Sequence, residues 1–314
     1  MAGCARPESR PFSMKINSLR DFLAVAERGS LRAAARQLGL GQPAMTRSIQ
    51  ELEKELGVVL FERRAKGVAL TPMGEVFLRR AKAVRSEFRR AQEELDQMRG
   101  QTNGHIRMCL STVAHMALLP NALKPFHQRF PDVQLEVIDA TLPRVESELR
   151  GGTIDLYVGP IHGELSSELT FEKLFDNSRI VLGRKGHPLA DATSLEELAG
   201  AEWVTTSVTH RGEDELSLVF EQHGLPPPKI VVQGHSALTF FFSIAHSDLL
   251  ILLPVQWSQV PLFRDSLQRI NVAESLRGHP ICIVQRTGLP LTPAAEYFCD
   301  MIRRASLHMD NLVG

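Results

Sequence analysis

The sequence predicts an α plus α/β chain in three parts: an amino-terminal winged helix-turn-helix, one long helix, and a two-lobed α/β domain. Three observations carry that expectation. Leu31 to Gly57 reads as two helices joined by a glycine turn; apolar residues recur with a heptad-like period from Phe77; and from His105 strand-like runs alternate with amphipathic helical ones. The expected boundaries are 1–13 for a disordered extension and 14–72 for the winged unit, with Met14 as an alternative start. The long helix takes 73–100 and the α/β domain 101–314, with lobe I at 104–178 plus 279–314 and lobe II at 179–278.

Ser18 to Asp21 resembles a helix start, with Leu19, Phe22, Leu23 and Ala26 as its buried face. The next helix presents Leu31, Ala34, Ala35 and Leu38, small enough for a close helix approach. Gly39 suits the positive φ that ends it, Gly41 stands at the following cap position, and Pro43 falls in the first turn, where its missing N–H costs nothing. In the third helix Met45, Ile49, Leu52 and Leu56 form one apolar stripe. Gln42, Thr46 and Gln50, with Arg47 beside them, fall on the opposite side. That arrangement is the one that lays a helix in the major groove of DNA. Ser30 and Arg32, where the second helix begins, join the expected DNA-binding set.

Two short extended runs, LFERR and VALT, flank Ala65-Lys66-Gly67, with Gly67 as the turn residue. This hairpin wing puts Arg63, Arg64 and Lys66 at its tip, placed for phosphates; the alternative for such a cluster is a solvated surface. Thr71-Pro72 then starts the long helix. Along it Phe77, Ala81, Val84, Phe88, Ala91, Leu95 and Met98 alternate spacings of four and three, the seam of a two-helix coiled coil. Phe77 to Leu95 are the expected dimerisation residues. The alternative is a single amphipathic helix packed on its own domain. Arg99 to Gly104 breaks the pattern.

Charge divides at the same place. Residues 1–99 hold 19 Lys/Arg against 12 Asp/Glu, and residues 100–314 hold 17 against 24, so a neutral total hides a basic head and an acidic body. A basic head favours the phosphate backbone. No long apolar run stands near the start, which argues against a signal peptide or membrane anchor and for a cytoplasmic protein. Cys4, Cys109, Cys282 and Cys299 are scattered without metal-like pairing. Cys109 and Cys282 sit in apolar strand patterns, as small core residues would.

In the acidic body, HIRMCL, VQLEVID and IDLYVG read as strands, separated by a helix from Leu118 to Phe130 and one ending at Arg150. That βαβαβ order implies an open parallel sheet with helices on both faces. A second lobe follows from Arg179: RIVLG, WVTT, KIVVQ and LLILL as strands, with helices near Glu213–His223 and Ser236–Ala245. HPICIVQR and the helix from Thr292 return the chain toward the first lobe. Two such lobes joined by crossing strands leave a cleft, as in periplasmic solute-binding proteins.

Ligands of these sheets bind beyond the carboxyl ends of strands, where helix N-termini offer free N–H groups. On that rule the candidate anchors are Ser111 and Thr112, then Thr141 with Leu142, and from the second lobe Thr206, Ser207 and Ser236. Each Ser or Thr has an ordinary alternative as a cap or turn residue. His115, His210 and Arg211 are further cleft candidates, with plain solvation as the alternative. No Gly-rich phosphate loop, HExxH pair or GxSxG elbow is present, and the 11 histidines show no ligand spacing for zinc. An enzyme is therefore not expected, nor is a metal or cofactor. A transport receptor would need export and no basic head. A ligand-free repressor and a winged helix fused to a catalytic domain remain as alternatives.

The run FLAVAERGSLRAAARQLGLGQPAMTRSIQELEKELGVVLFERRAKGVALTPMGE resembles the amino-terminal signature of the LysR-type transcriptional regulators. One departure stands out: the family has serine or a similar cap before the Gln-Pro pair, and this chain has Gly41. Glycine caps only a few tenths of a kcal/mol less well (roughly), so the helix is safe while one hydroxyl is lost. The resemblance implies a regulator that binds pseudo-palindromic double-stranded DNA as a dimer or tetramer. It also implies a small-molecule effector between the lobes, with Ser111 at a contact position, and RNA polymerase as a further partner. Gln42, Pro43 and Thr46 are then expected on base edges, and Arg47, Arg63, Arg64 and Lys66 on phosphates. AHSDLLILLP and TGLPLTPAAEYF resemble the branch that includes regulators of toluenesulfonate and related aromatic acid catabolism, which implies an aromatic or other organic anion as effector.

Overall fold

In the computed structural model, residues 15–65, 67–206, 215–234 and 236–309 are described; the expectations for 1–13, Cys4 and Met14 lie outside them. Helix α1 (Ile16–Arg28) begins before Ser18, which lies inside it. Asp21 is not a first-turn signal but a buried acceptor, taking hydrogen bonds from Ser48 Oγ at 2.7 Å and Arg20 Nε at 3.1 Å. Leu19, Phe22 and Leu23 bury as expected, joined by Ala24 and Val25, while Ala26 is half-buried.

Ser30 caps α2 (Leu31–Gln37) by accepting the Ala33 N–H at 3.3 Å. Gly39 adopts φ +66°, which lets the chain turn into α3 (Gln42–Leu56). Met45, Ile49 and Leu52 are buried, but Leu56 is 39% exposed because the helix outruns the small core before Gly57 ends it. Strands β1 (Phe61–Arg64) and β2 (Gly67–Leu70) form the wing, with Phe61 opposite Leu70 and Arg64 opposite Gly67. Gly67 is required by close approach. A Cβ on it would stand 2.2 Å from the Gly29 carbonyl oxygen, which also accepts the Val68 N–H at 2.9 Å.

Thr71 caps α4 (Pro72–Met98), accepting the Gly74 N–H at 3.0 Å and donating to the Val59 carbonyl at 2.7 Å. Two expected seam residues belong to the chain's own core: Ala81 is buried, and the half-buried Phe77 meets Phe22 edge-on with ring centroids 4.8 Å apart. The first turns of a helix fastened to a small domain must supply part of its core. Beyond them Val84, Phe88, Leu95 and Met98 are exposed. The two compact units divide between Arg89 and Arg90, inside this helix. Its last turns belong to the second unit. There the Gln97 amide donates to the Asn103 carbonyl at 3.1 Å and accepts the Ala294 N–H at 2.9 Å.

In the second unit, β3 (Asn103–Leu110) leads through a π-helical turn, Ala114–Leu118, into α5 (Leu119–Arg129). Pro120 has no N–H for the usual α-helical bond, which accounts for the widened turn where one regular helix was expected. Then come β4 (Asp132–Asp139), α6 (Leu142–Arg150) and β5 (Leu156–Pro160). Strands β4, β3 and β5 lie parallel in that order. Strand β6 (Leu169–Arg184) is one run of 16 residues, of which the sequence marks only Arg179 to Gly183, because the charged stretch before it hides the alternation.

After β6 come β7 (Glu202–Thr206), α7 (Glu215–Gln222), β8 (Lys229–Gly234), α8 (Ala237–Ala245) and β9 (Leu250–Pro254). A short α9 (Pro261–Arg264), β10 (Leu267–Ile270), β11 (Arg277–Arg286) and α10 (Pro293–Ser306) complete the order. The first part of β6 pairs with β11, and from Arg179 it pairs with β9. Strand β11 pairs in turn with β5. Both crossings between lobes are thus strands in one ladder. Alternate residues feed opposite faces of lobe I. Met108 and Leu110 meet Phe126 and Phe298, while Cys109 meets Leu149, Tyr157 and Cys282. Lobe II repeats this, with Trp203 and Phe220 on one face and Val204, Phe240 and Trp257 on the other. Among the described residues, no helix is long and apolar enough to cross a membrane.

Candidate functional site

Two surfaces combine the residue types that the sequence singles out. In the first unit, α3 turns Gln42, Pro43, Arg47 and Gln50 outward, with Thr46 half-buried between them. Thr46 Oγ1 donates to the Gln42 carbonyl at 3.0 Å. Arg47 is held by Glu51 one turn on, 2.9 Å away. Ser30 is committed as a cap, and Arg32 beside it is exposed. On the wing Arg64 is bound to Glu62 at 2.6 Å, whereas Arg63 makes no ion pair among the described residues. Successive residues of a strand point to opposite faces, so Arg63 and Arg64 do not share one. Lys66 lies outside the described residues.

The second surface is a cavity between the lobes, with about 830 Å³ of empty volume continuous with solvent. Ser111, at the carboxyl end of β3, lines it. Its N–H donates to the Val158 carbonyl at 2.8 Å, and its Oγ accepts the Ala114 N–H at 3.4 Å. Thr112 and Thr141 line it as well. Thr141 stands at the N-cap of α6 without a side-chain capping bond, so its hydroxyl is uncommitted. Leu142 does not line the cavity. It is buried against Val145, Leu149 and Cys109, because the first apolar position of an amphipathic helix packs on the sheet. Ser236 is likewise a cap, accepting the Leu238 N–H at 3.3 Å, and Phe240 one turn later is the residue of α8 at the cavity. His115 is absent from the lining; its Nδ1 lies 3.0 Å from the Ser111 carbonyl. The Thr206 side chain, Ser207, His210 and Arg211 lie outside the described residues.

Sequence reasoning missed most of the polar lining. Asn177 and Arg179, alternate residues of β6, reach the cavity where that strand crosses between lobes. Arg179 makes a fork-to-fork ion pair with Glu215 at the start of α7, Nε to Oε1 at 2.9 Å, and little of either side chain is exposed. His162, just after β5, packs edge-on against His279 with centroids 4.4 Å apart. Burial, then the neighbouring His279 and Arg179, lower the His162 pKa from 6.5 to about 3, so its ring is neutral. Arg144 is exposed at the rim and makes no ion pair among the described residues. Val113, Phe240, Leu252, Leu253, Pro254 and Trp257 give the cavity its apolar wall. No strand–turn motif announces these positions; only the crossing of β6 brings them together.

Burial pushes the Cys109, Cys282 and Cys299 thiols up to about 12, 11 and 12, which leaves them protonated core residues. Among the described residues no group of His, Cys, Asp and Glu is arranged to hold a metal ion.

Residues 16–75 match the family profile described as bacterial regulatory helix-turn-helix protein, lysR family, and residues 99–306 match the LysR substrate binding domain. YdcI of Escherichia coli K12, an uncharacterized HTH-type transcriptional regulator, is 34% identical over 297 residues, covering 93% of this chain and 96% of its own. TdcA of the same strain, also an HTH-type transcriptional regulator, is 26% identical over 286 residues, 91% of each chain. The fold is that of full-length CbnR in its crystal structure with target DNA, with a TM-score of 0.69 at 22% identity, covering 93% of this chain and 100% of that one. These relatives are regulators, not enzymes. A helix-turn-helix head and a ligand-binding body, each matched over nearly its whole length, place this chain in the LysR family of bacterial DNA-binding transcriptional regulators.

Proposed function

We propose that the chain is a cytoplasmic homo-oligomer that binds pseudo-palindromic promoter DNA and answers to a small organic anion, of aromatic type, held between its lobes. The observation that carries the DNA half is the outward face of α3, where Gln42 and Gln50 have no side-chain partner among the described residues. Free amides of this kind are matched to adenine edges in the major groove. Gln42, Pro43 and Thr46 read bases, while Arg47, Arg63, Arg64 and Lys66 contact phosphates. CbnR in complex with its target DNA supports this use of the fold. The oligomer follows from the exposed apolar stripe of Val84, Phe88 and Leu95, with half-sites one helical turn or a multiple of it apart. RNA polymerase is the partner through which such a bound oligomer acts.

The effector half rests on the cavity's rim. The uncommitted Thr141 hydroxyl, Ser111, Thr112 and the Arg144 guanidinium surround the N-terminus of α6, a favourable place for a carboxylate or sulfonate. Phe240 and Trp257 supply an aromatic wall for the rest of the ligand. The test is a selection from a random DNA library with the purified chain, followed by a screen of aromatic acids on the recovered site. An enriched inverted repeat whose occupancy or footprint responds to an acid is the expected result. No enrichment at low salt would overturn the DNA reading, and enrichment indifferent to every acid would overturn the anion.

A further inference from the structure

The deep end of the interlobe cavity carries buried polar groups that the protein leaves without partners. Asn177 is 4% exposed, and neither its amide nitrogen nor its oxygen is hydrogen-bonded; the same holds for both ring nitrogens of His162 and for Trp257 Nε1. All three residues line the cavity. A buried polar atom left unsatisfied is costly, so native chains rarely keep several in one cavity without a use for them.

Asn177 and His162 are linked through neighbouring residues of β11. Gly278 pairs with Asn177 across the β6–β11 ladder, and a Cβ on it would stand 3.4 Å from Asn177 Nδ2 and 3.2 Å from Arg179 Nε. The next residue, His279, carries the edge contact to His162. Asn177, Arg179 and His162 all line the cavity, which gives it one polar corner. That corner bears no net charge, since Glu215 already engages both arms of the Arg179 guanidinium. At the rim, Arg144 is the cation without an ion pair among the described residues, and the Asp139 carboxylate on the same lining disfavours a second negative charge.

We infer that the effector is a monoanionic aromatic acid bearing an uncharged hydroxyl, with its acid group at Thr141 and Arg144 and its hydroxyl between His162 and Asn177. This rests on the reading of the cavity as the effector site. A hydroxyl both donates and accepts, which suits a neutral imidazole (one donor, one acceptor), a carboxamide and an indole N–H. A second carboxylate there would face Glu215 without a free cation. An unsubstituted ring would bury the same groups with nothing to bond them, the situation in which a polar site rejects an analogue most strongly.

The experiment is calorimetric titration of the full chain with benzoate, the three hydroxybenzoates, isophthalate and terephthalate. At least one hydroxybenzoate is expected to bind roughly tenfold or more tightly than benzoate, as one or two recovered hydrogen bonds dictate. In Asn177→Leu and His162→Phe that preference should collapse to about twofold. Their thermal melts, unchanged or raised because an unsatisfied group has been removed, keep misfolding from imitating the result. Equal binding of benzoate and all hydroxybenzoates, or a dicarboxylate binding tightest, overturns the hydroxyl inference and leaves the anion site standing. If a folded wild-type chain binds none of the acids, the anion reading itself is overturned and this inference goes with it.

Discussion

Arg90 near the end of α4 and Asp155 just before β5 form an ion pair almost closed to solvent, with 7% and 4% of their side chains exposed. Arg90 also donates to the Gly152 carbonyl at 3.0 Å, and the second Asp155 oxygen accepts the Arg107 N–H at 2.7 Å. Removing one partner strands a buried charge. Asp155→Ala should therefore cost about 3–5 kcal/mol, read from urea unfolding of the full chain. A loss below about 1 kcal/mol would show that solvent reaches the pair.

The two wing arginines should differ. Arg63→Ala is expected to weaken DNA binding by the same factor on every sequence and to shallow the salt slope by about one. Arg64→Ala should do less, since Glu62 already holds that guanidinium, and Glu62→Gln should tighten binding by releasing it. Fluorescence anisotropy across a salt series checks all three; a shift in preferred sequence would instead make Arg63 a base reader.

On α4 the exposed and buried halves of one apolar stripe should part company. Phe88→Glu is expected to give a folded monomer by light scattering, because Phe88 is 48% exposed. Ala81→Glu, at a position 1% exposed, should instead unfold the winged unit. A Phe88→Glu protein that keeps its oligomeric mass would move the interface elsewhere.

His162 predicts an acid response. Its folded pKa lies near 3 and its ordinary value is 6.5, so the unfolded chain takes up a proton that the folded one refuses. The stability tied to the neutral ring is complete above about pH 6.5 and drains away as pH falls toward 3. His162→Phe should shallow that acid slope between pH 7 and pH 4 (roughly) in denaturant melts. Parallel slopes for the two proteins would mean the ring is hydrated.

Local chemistry was the legible part. Gly39, Gly41, Pro43 and Thr292 occupy the turn and cap positions their chemistry suggests, because caps and turns are decided within a few residues. That β3, β4 and β5 run parallel follows from the alternation of strands and helices. What escaped depends on distance in the chain. The first part of β6 is too charged to look like a strand and is held by β11, about a hundred residues later. Ser236 and Leu142 drew attention as neighbours of strand ends, yet one caps a helix and the other packs on a sheet. His162, Asn177, Arg179, Glu215 and Trp257 share no motif and meet only through the two crossings.

Those crossings also set a timetable for synthesis. Lobe I needs β11 beside β5 and α10 against α5, and both lie beyond the last strand of lobe II. Strands β7 to β10 close on the second part of β6 using chain already made. On the ribosome lobe II can therefore complete first, while lobe I waits half-built with its apolar face uncovered until the final helix emerges. Premature termination shortly after residue 276 would leave a finished lobe II attached to an open, adhesive sheet.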